Sequence, residues 1–344
     1  MLLKRAAVVV SISIALSSCG ATRPPTDESE QSVATTVLQN VDADEIIWLT
    51  ADEMMLFRGG AEPAIISLSV LTGSSKVVRL PGRAEKAPGD DRQSGWDYPS
   101  NPVVMPGRRL GLVRAHWDGT RSEFVAVDTE NSTVEIVASL NFVDPPPGTM
   151  TNFFWRTDLS AAYVTVRGFS TDRQCSTIVR VQNDEWAPMD IDLDAASVDG
   201  WNLAETAGSM RHGCGPQTGE ARAIGLTAGD SPSLLVYATP SSAVTPSNDT
   251  VGNIYSVEIG SRRPEVLVRD ATVGGSSLSP DGSQLAWNGK FKDGSWGCWV
   301  YSLTDSESVL VSSEIYSSLA WSPDGQRLAA LNLVDGEIDI LSVR

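Results

Sequence analysis

Ser277 to Gly289 reads SLSPDGSQLAWNG, and Leu319 to Asn332 reads LAWSPDGQRLAALN. Both write Ser-Pro-Asp-Gly ahead of a short apolar run, with Ser279 and Ser322 43 positions apart. In such a turn Pro presets the first dihedral, Asp bonds the local backbone and Gly accepts positive φ. Asp281 and Asp324 are therefore expected to be turn formers. A fixed period of this size marks a chain built from repeating supersecondary units.

Weaker copies extend the pattern as β-hairpins with alternating apolar residues around a polar turn. They run Ala64 to Leu80, Glu123 to Leu140, Ser176 to Ile191, Asn253 to Val268 and Cys298 to Val311, with a half-copy from Glu337 to Val343. Ahead of each lies a second pair of short strands, around Trp48, Met105, Trp155, Gly229 and the two Ser-Pro-Asp-Gly turns. The units are thus four-stranded, and four-stranded units repeating radially make a propeller, each blade burying its faces on its neighbours. The expected fold is all-β, a β-propeller of six blades. The last unit lacks its fourth strand, and Thr36 to Val41 is expected to complete it and close the ring. Ala195 to Glu220 is either a long inter-blade loop or part of a seventh, degenerate blade; six is preferred.

Trp/Leu-Ser-Pro-Asp-Gly-x-x-Leu-Ala, at Leu278 to Ala286 and Trp321 to Ala329, resembles the WD40-like repeat of TolB-type β-propellers. The resemblance implies a propeller in an extracytoplasmic setting, as in accessory subunits of envelope assemblies, and implies no reaction.

Before that body comes Met1 to Arg5, short and cationic, and then an apolar stretch from Ala6 to Leu16, too short to span a bilayer but suited to a secretory signal. Leu16-Ser-Ser-Cys19-Gly20 resembles a bacterial lipobox. That implies a signal peptide over residues 1–18, lipidation of Cys19 and membrane anchoring, with residues 19–35 as a flexible tether and 36–344 as one propeller domain. Arginine well outnumbers lysine, as GC-rich coding produces. The anchor is expected in the outer leaflet of the cell membrane of an actinobacterium, or facing the periplasm in a Gram-negative host. The net charge is −17, falling to −19 once Lys4 and Arg5 are cleaved. A body this acidic repels nucleic acid and anionic headgroups. The expected partner is an envelope protein or a small ligand, and the chain is expected to be monomeric.

In a propeller the inter-blade loops, and those between second and third strands, share one face; the Ser-Pro-Asp-Gly turns lie on the other. Ligand sites favour loops held on a rigid scaffold. On the loop-rich face the candidates for binding are Trp96, Asp97, His116, Trp117, Asp118, Arg121, Arg173, Trp201, His212, Lys292, Asp293 and Trp296. The other weighing of these residues is that the tryptophans anchor long loops and the charges are solvated. Cys175 and Cys214 fall in loops of adjacent blades and are the favoured disulfide pair, leaving Cys298 free; the alternative pairs Cys214 with Cys298.

Enzyme readings find few handles. There is no Gly-x-Ser-x-Gly elbow and no glycine-rich phosphate loop. His116 and His212 are the only histidines. Asp190-x-Asp192-x-Asp194 opens like a calcium loop, but Ala195 replaces the required glycine and Trp201 the terminal glutamate. No cofactor, metal or catalytic residue is expected. The main expectation is a non-catalytic binding or scaffold module. The alternative is a glycan- or peptide-processing hydrolase or lyase with a dispersed carboxylate and histidine site near the central channel.

Overall fold

A computed structural model of the chain describes residues 37–38, 42–59, 62–80, 96–98, 102–105, 109–116, 121–141, 150–155, 162–170, 173–182, 185–188, 221–227, 232–239, 251–258, 264–291 and 293–343. All regular structure among them is strand. The N-terminal strand is β1 (Val37–Leu38). Blade 1 comprises β2 (Glu45–Thr50), β3 (Glu53–Arg58), β4 (Ala64–Ser69) and β5 (Ser75–Arg79). Blade 2 holds β6 (Trp96–Asp97), β7 (Val103–Met105), β8 (Arg109–His116), β9 (Arg121–Asp128) and β10 (Thr133–Asn141). Blade 3 holds β11 (Met150–Trp155), β12 (Ala162–Ser170), β13 (Arg173–Gln182) and β14 (Glu185–Pro188). Blade 4 holds β15 (Ala221–Leu226), β16 (Ser233–Ala238), β17 (Gly252–Glu258) and β18 (Glu265–Ala271). Blade 5 holds β19 (Ser276–Leu278), β20 (Gln284–Lys290), β21 (Trp296–Ser302) and β22 (Ser308–Ser312). The last blade holds β23 (Tyr316–Trp321), β24 (Arg327–Asn332) and β25 (Ile338–Ser342).

Among the described residues these strands form six antiparallel sheets, five of four strands and one of five. Innermost strands meet from sheet to sheet in sequence order, β2 with β7, β11 with β15, β15 with β19 and β19 with β23, while β11 reaches β8 of blade 2 and β2 meets β23, so the contacts close a ring. The expected closure is present: β1 adds to the last blade, with Val37 opposite Asp339 and Leu38 opposite Ile338. The strand Val37–Leu38 thus supplies what the last repeat lacks, and β1 and β25, the first and last strands described, share one sheet.

The core lies between blades. Ile46, Trp48 and Met54 of blade 1 pack with Ala329, Leu331 and Ile340 of the last blade. Cys298 and Val300 of blade 5 pack with Tyr316 and Trp321. A middle strand covered on both faces has no wet side, so Met54 to Phe57 and Leu234 to Ala238 are buried without interruption. Such strands read as continuous apolar runs, the pattern of a sheet covered on both faces. Outer strands are wetter: in β5 Val78 alone is buried.

The repeated turns behave as the sequence requires. Asp281 Oδ1 accepts from Ser279 Oγ (2.6 Å) and from the Ser283 amide (3.0 Å), while Ser279 Oγ accepts from the Gln284 amide (2.9 Å). The second copy repeats this: Ser322 Oγ donates to Asp324 Oδ1, which also accepts from the Gln326 amide (3.1 Å), and the Arg327 amide donates to Ser322 Oγ (3.0 Å). Gly282 and Gly325 sit at φ of 73° and 69°, the left-handed region that the turn demands. The serine hydroxyls, first among several donors, hold the Asp281 and Asp324 carboxyls below their ordinary range. The tryptophan of the second motif ties blades together, since Trp321 Nε1 donates to the Ser277 carbonyl at 3.1 Å.

Candidate functional site

Antiparallel succession puts the β3–β4, β8–β9, β20–β21 and β24–β25 hairpin loops, with the inter-blade links, on one end of the ring. At this end blade 2 begins with an interrupted first strand. Trp96 and Asp97 were expected in a loop, yet as β6 they pair with the end of β8, Trp96 opposite His116 and Asp97 opposite Ala115. The strand then breaks and resumes as β7 further along β8. Pro99 and Pro102, in between, cannot donate to a ladder. His116 and Arg121 end the two strands flanking the β8–β9 loop, and Arg121 also lies opposite Asn141. Backbone register thus gathers Trp96, Asp97, His116 and Arg121 at one blade's rim.

Directly beneath, a charged pair is buried. Arg114 Nε donates to Glu123 Oε2 at 2.6 Å, and Nη2 reaches the same oxygen at 2.6 Å. Glu123 is 1% exposed and the Arg114 side chain 14%. Tyr98 packs beside them, its hydroxyl buried and without a hydrogen bond of ordinary geometry among the described residues. Burial raises the Tyr98 phenol's pKa; the adjacent Arg114 cation opposes this. The blade 1 hairpin abuts the same place. The Gly59 amide donates to Asp44 Oδ2 at 2.8 Å, and a Cβ at Gly59 would stand 2.8 Å from the Tyr98 carbonyl oxygen. Only a residue without a side chain allows that approach.

A second polar brace joins blade 5 to the last blade. Buried Asn288 donates from Nδ2 to the Tyr316 carbonyl at 2.7 Å. The Tyr316 hydroxyl donates to Asp339 Oδ2 at 2.9 Å and lies 2.9 Å from Ser312 Oγ, which then donates to it. Burial raises the Asp339 carboxyl above its ordinary range; the Tyr316 hydrogen bond opposes this, and Asp335 and Glu314 reinforce it. Burial likewise raises the Tyr316 phenol and the Cys298 thiol. Cys298 is free and fully buried.

The remaining sequence candidates are dispersed. Asp293 is engaged in its own turn, accepting from the Ser295 amide at 2.9 Å and from the Ser295 hydroxyl. Trp296 lies under the Lys290 ammonium, 5.2 Å from the ring centroid. Arg173 opens β13, opposite Ser170, and Cys175 lies opposite Gly168. Trp117, Asp118, Trp201, His212, Lys292, Cys214 and Cys19 lie outside the described residues, as do residues 1–18, the tether, Asp190 to Asp194 and Ala195 to Glu220. Among the described residues no group of three His, Cys, Asp or Glu stands ready to hold a metal ion. The sequence reading missed the Arg114–Glu123 pair and the Asn288, Tyr316 and Asp339 brace. The first had a visible signal: Arg114 interrupts a run that is otherwise apolar, and a buried charge must be paired.

No protein-family model matches the chain, and no curated protein matches it. Solved structures do. TolB from Acinetobacter baumannii aligns with a TM-score of 0.50 at 12% identity, over 84% of this chain and 63% of that one. An oligogalacturonate lyase in complex with manganese gives 0.50 at 11% identity, over 93% of this chain and 95% of that one. The β-propeller domain of Myceliophteria thermophila Cps50 (Swd1) gives 0.48 at 13% identity, over 91% and 100%. The chain spans 63% of the TolB chain's length. What is shared is the fold. The chain is a β-propeller, the fold its repeats implied.

Proposed function

We propose that this chain is an exported propeller, anchored through lipidated Cys19, that binds an envelope protein or ligand on its loop-rich face without catalysing a reaction. The observation that carries this is the placement of Trp96, Asp97, His116 and Arg121 at one rim. That rim stands above the buried Arg114–Glu123 pair, which fastens its hairpin. Aromatic and charged residues on a rigid frame bind at low entropic cost, because little needs to be ordered on contact. The likeness to TolB supports an extracytoplasmic setting.

A second reading, a propeller enzyme, draws on Asp97 lying next to the position opposite His116. It also draws on the likeness to an oligogalacturonate lyase. Incubation with oligogalacturonides, read by mass spectrometry of chain length, separates the two. Cleavage by the wild-type chain that a His116→Ala variant loses would establish the enzyme.

The binding reading is tested by quantitative capture from the organism's own membranes. Wild type is compared with a Trp96→Ala/Arg121→Ala variant and with Cys19→Ala. A stoichiometric partner retained by wild type and lost by the rim variant is the expected result. A partner set identical for wild type and rim variant would overturn the reading.

A further inference from the structure

The loop-rich end of the last blade carries an apolar tip. Val334 is 83% exposed, Leu333 64% and Ile315 38%, an unusual concentration of large apolar residues for a body with so much charge. They come from two loops fastened together: the Leu333 amide donates to the Ile315 carbonyl at 3.0 Å. The Val334 amide donates to Asn332 Oδ1 at 2.8 Å, and the β24–β25 turn is closed by Asn332 amide to Glu337 carbonyl at 2.8 Å. The apolar groups are therefore held outward on a fixed backbone.

Their surroundings are acidic. Glu314 directly precedes Ile315, and Asp335 and Glu337 follow Val334. Glu314 and Asp335 are exposed. Glu314 adjoins Ile315 and Asp335 adjoins Val334, and the two loops are joined by the Leu333–Ile315 hydrogen bond, so both acids flank the tip. An acidic rim repels anionic lipid and a second copy of a chain whose net charge is −17. It complements a partner segment that presents apolar side chains flanked by lysine or arginine.

We infer that Ile315, Leu333 and Val334, rimmed by Glu314 and Asp335, form a docking site for a cationic amphipathic segment of a protein partner. This rests on the reading of the loop-rich end as the binding face and names its partner's chemistry. It uses a different blade from the Trp96 rim, so failure here and failure of the capture experiment are told apart.

The test is fluorescence anisotropy of the whole chain with labelled model peptides: an alternating Leu/Lys peptide, a Lys/Ser peptide of equal charge and a Leu/Glu peptide. The Leu/Lys peptide is expected to bind, more weakly as salt rises, and the other two at least tenfold more weakly. A Leu333→Ser/Val334→Ser variant is expected to lose at least tenfold affinity for it. Glu314→Gln/Asp335→Asn is expected to lose roughly three- to tenfold at low salt and nothing at high salt. Glu130→Gln/Glu307→Gln removes the same charge at the opposite end and is expected to change affinity less than twofold. Absence of binding by wild type, or an apolar variant that binds normally, would overturn the inference. So would a loss in the opposite-end variant equal to that at the rim. Binding to phosphatidylcholine vesicles that depends on Leu333 and Val334, without peptide binding, would assign the tip to lipid instead.

Discussion

At Glu123 a single carboxylate, 1% exposed, is held by Arg114 on the neighbouring strand. Whether such a pair adds net stability is decided by its desolvation, but breaking it is costly because the surviving charge stays buried. Glu123→Ala is expected to destabilise by about 3–5 kcal/mol. Replacing both residues by apolar ones of similar size should recover most of that, read as a double-mutant cycle in urea. Asp339 works in the opposite sense. Its folded-state carboxyl is raised, chiefly by burial, so ionisation is harder in the folded than in the unfolded chain. Its contribution to stability is therefore present at low pH and declines as pH rises through the unfolded and then the raised folded value. Asp339→Asn does not ionise. The variant is expected to melt higher than wild type at neutral pH, and the gain should vanish as pH falls below about 4, the ordinary carboxylate value. A gain that persists at low pH would mean that packing and not charge sets the effect. Each role depends on a partner from another strand, and of these residues only Arg114, a charge set inside an apolar run, announced itself in the local sequence.

At the level of elements, what was legible followed from local chemistry. Ser-Pro-Asp-Gly forms its turn with its own side chains, so both copies and the strands they join could be read from a few residues. The interruption between Trp96 and Val103 could not, because a two-residue strand carries no period and is defined only by its pairing with β8. The candidate site was legible to the same extent. Composition and topology pointed to the loop-rich end, but which candidates meet there depends on pairing between distant segments. Burial on both faces or one sets the cost of substitution. Trp287 in β20 is fully buried, stacked against Trp299 at 6.5 Å and tilted against Phe291 at 6.1 Å. Trp287→Ala is expected to cost about 3–5 kcal/mol by chemical denaturation. Val309 in the outer strand β22 is 55% exposed, and Val309→Ala should stay within about 0.5 kcal/mol. Equal costs at the two positions would contradict the layered blade.

For the whole molecule the decisive question is what keeps the ring closed. Two devices act at the junction of the last blade with blade 1. One is side-chain contact: Arg327 lies 4.9 Å over Trp48 and donates to the Ala51 carbonyl at 3.3 Å, while the Ile46 amide donates to Ser318 Oγ at 3.2 Å. The other is β1, which satisfies the outer edge of β25. The two are separable, because removing β1 leaves every one of those contacts in place. A chain beginning at Gln39 is expected to melt roughly 2–4 °C below one beginning at Thr36, the loss of a couple of backbone hydrogen bonds. Its uncovered β25 edge would also offer unpaired amides and carbonyls to another chain. Concentration-dependent association by light scattering should accompany the lower melting temperature, most clearly at physiological salt, where repulsion between acidic bodies is screened beyond about 8 Å. Equal melting and a monomer at all concentrations would show that inter-blade packing alone closes the ring. In that case β1 would serve only to cover the outer edge of β25.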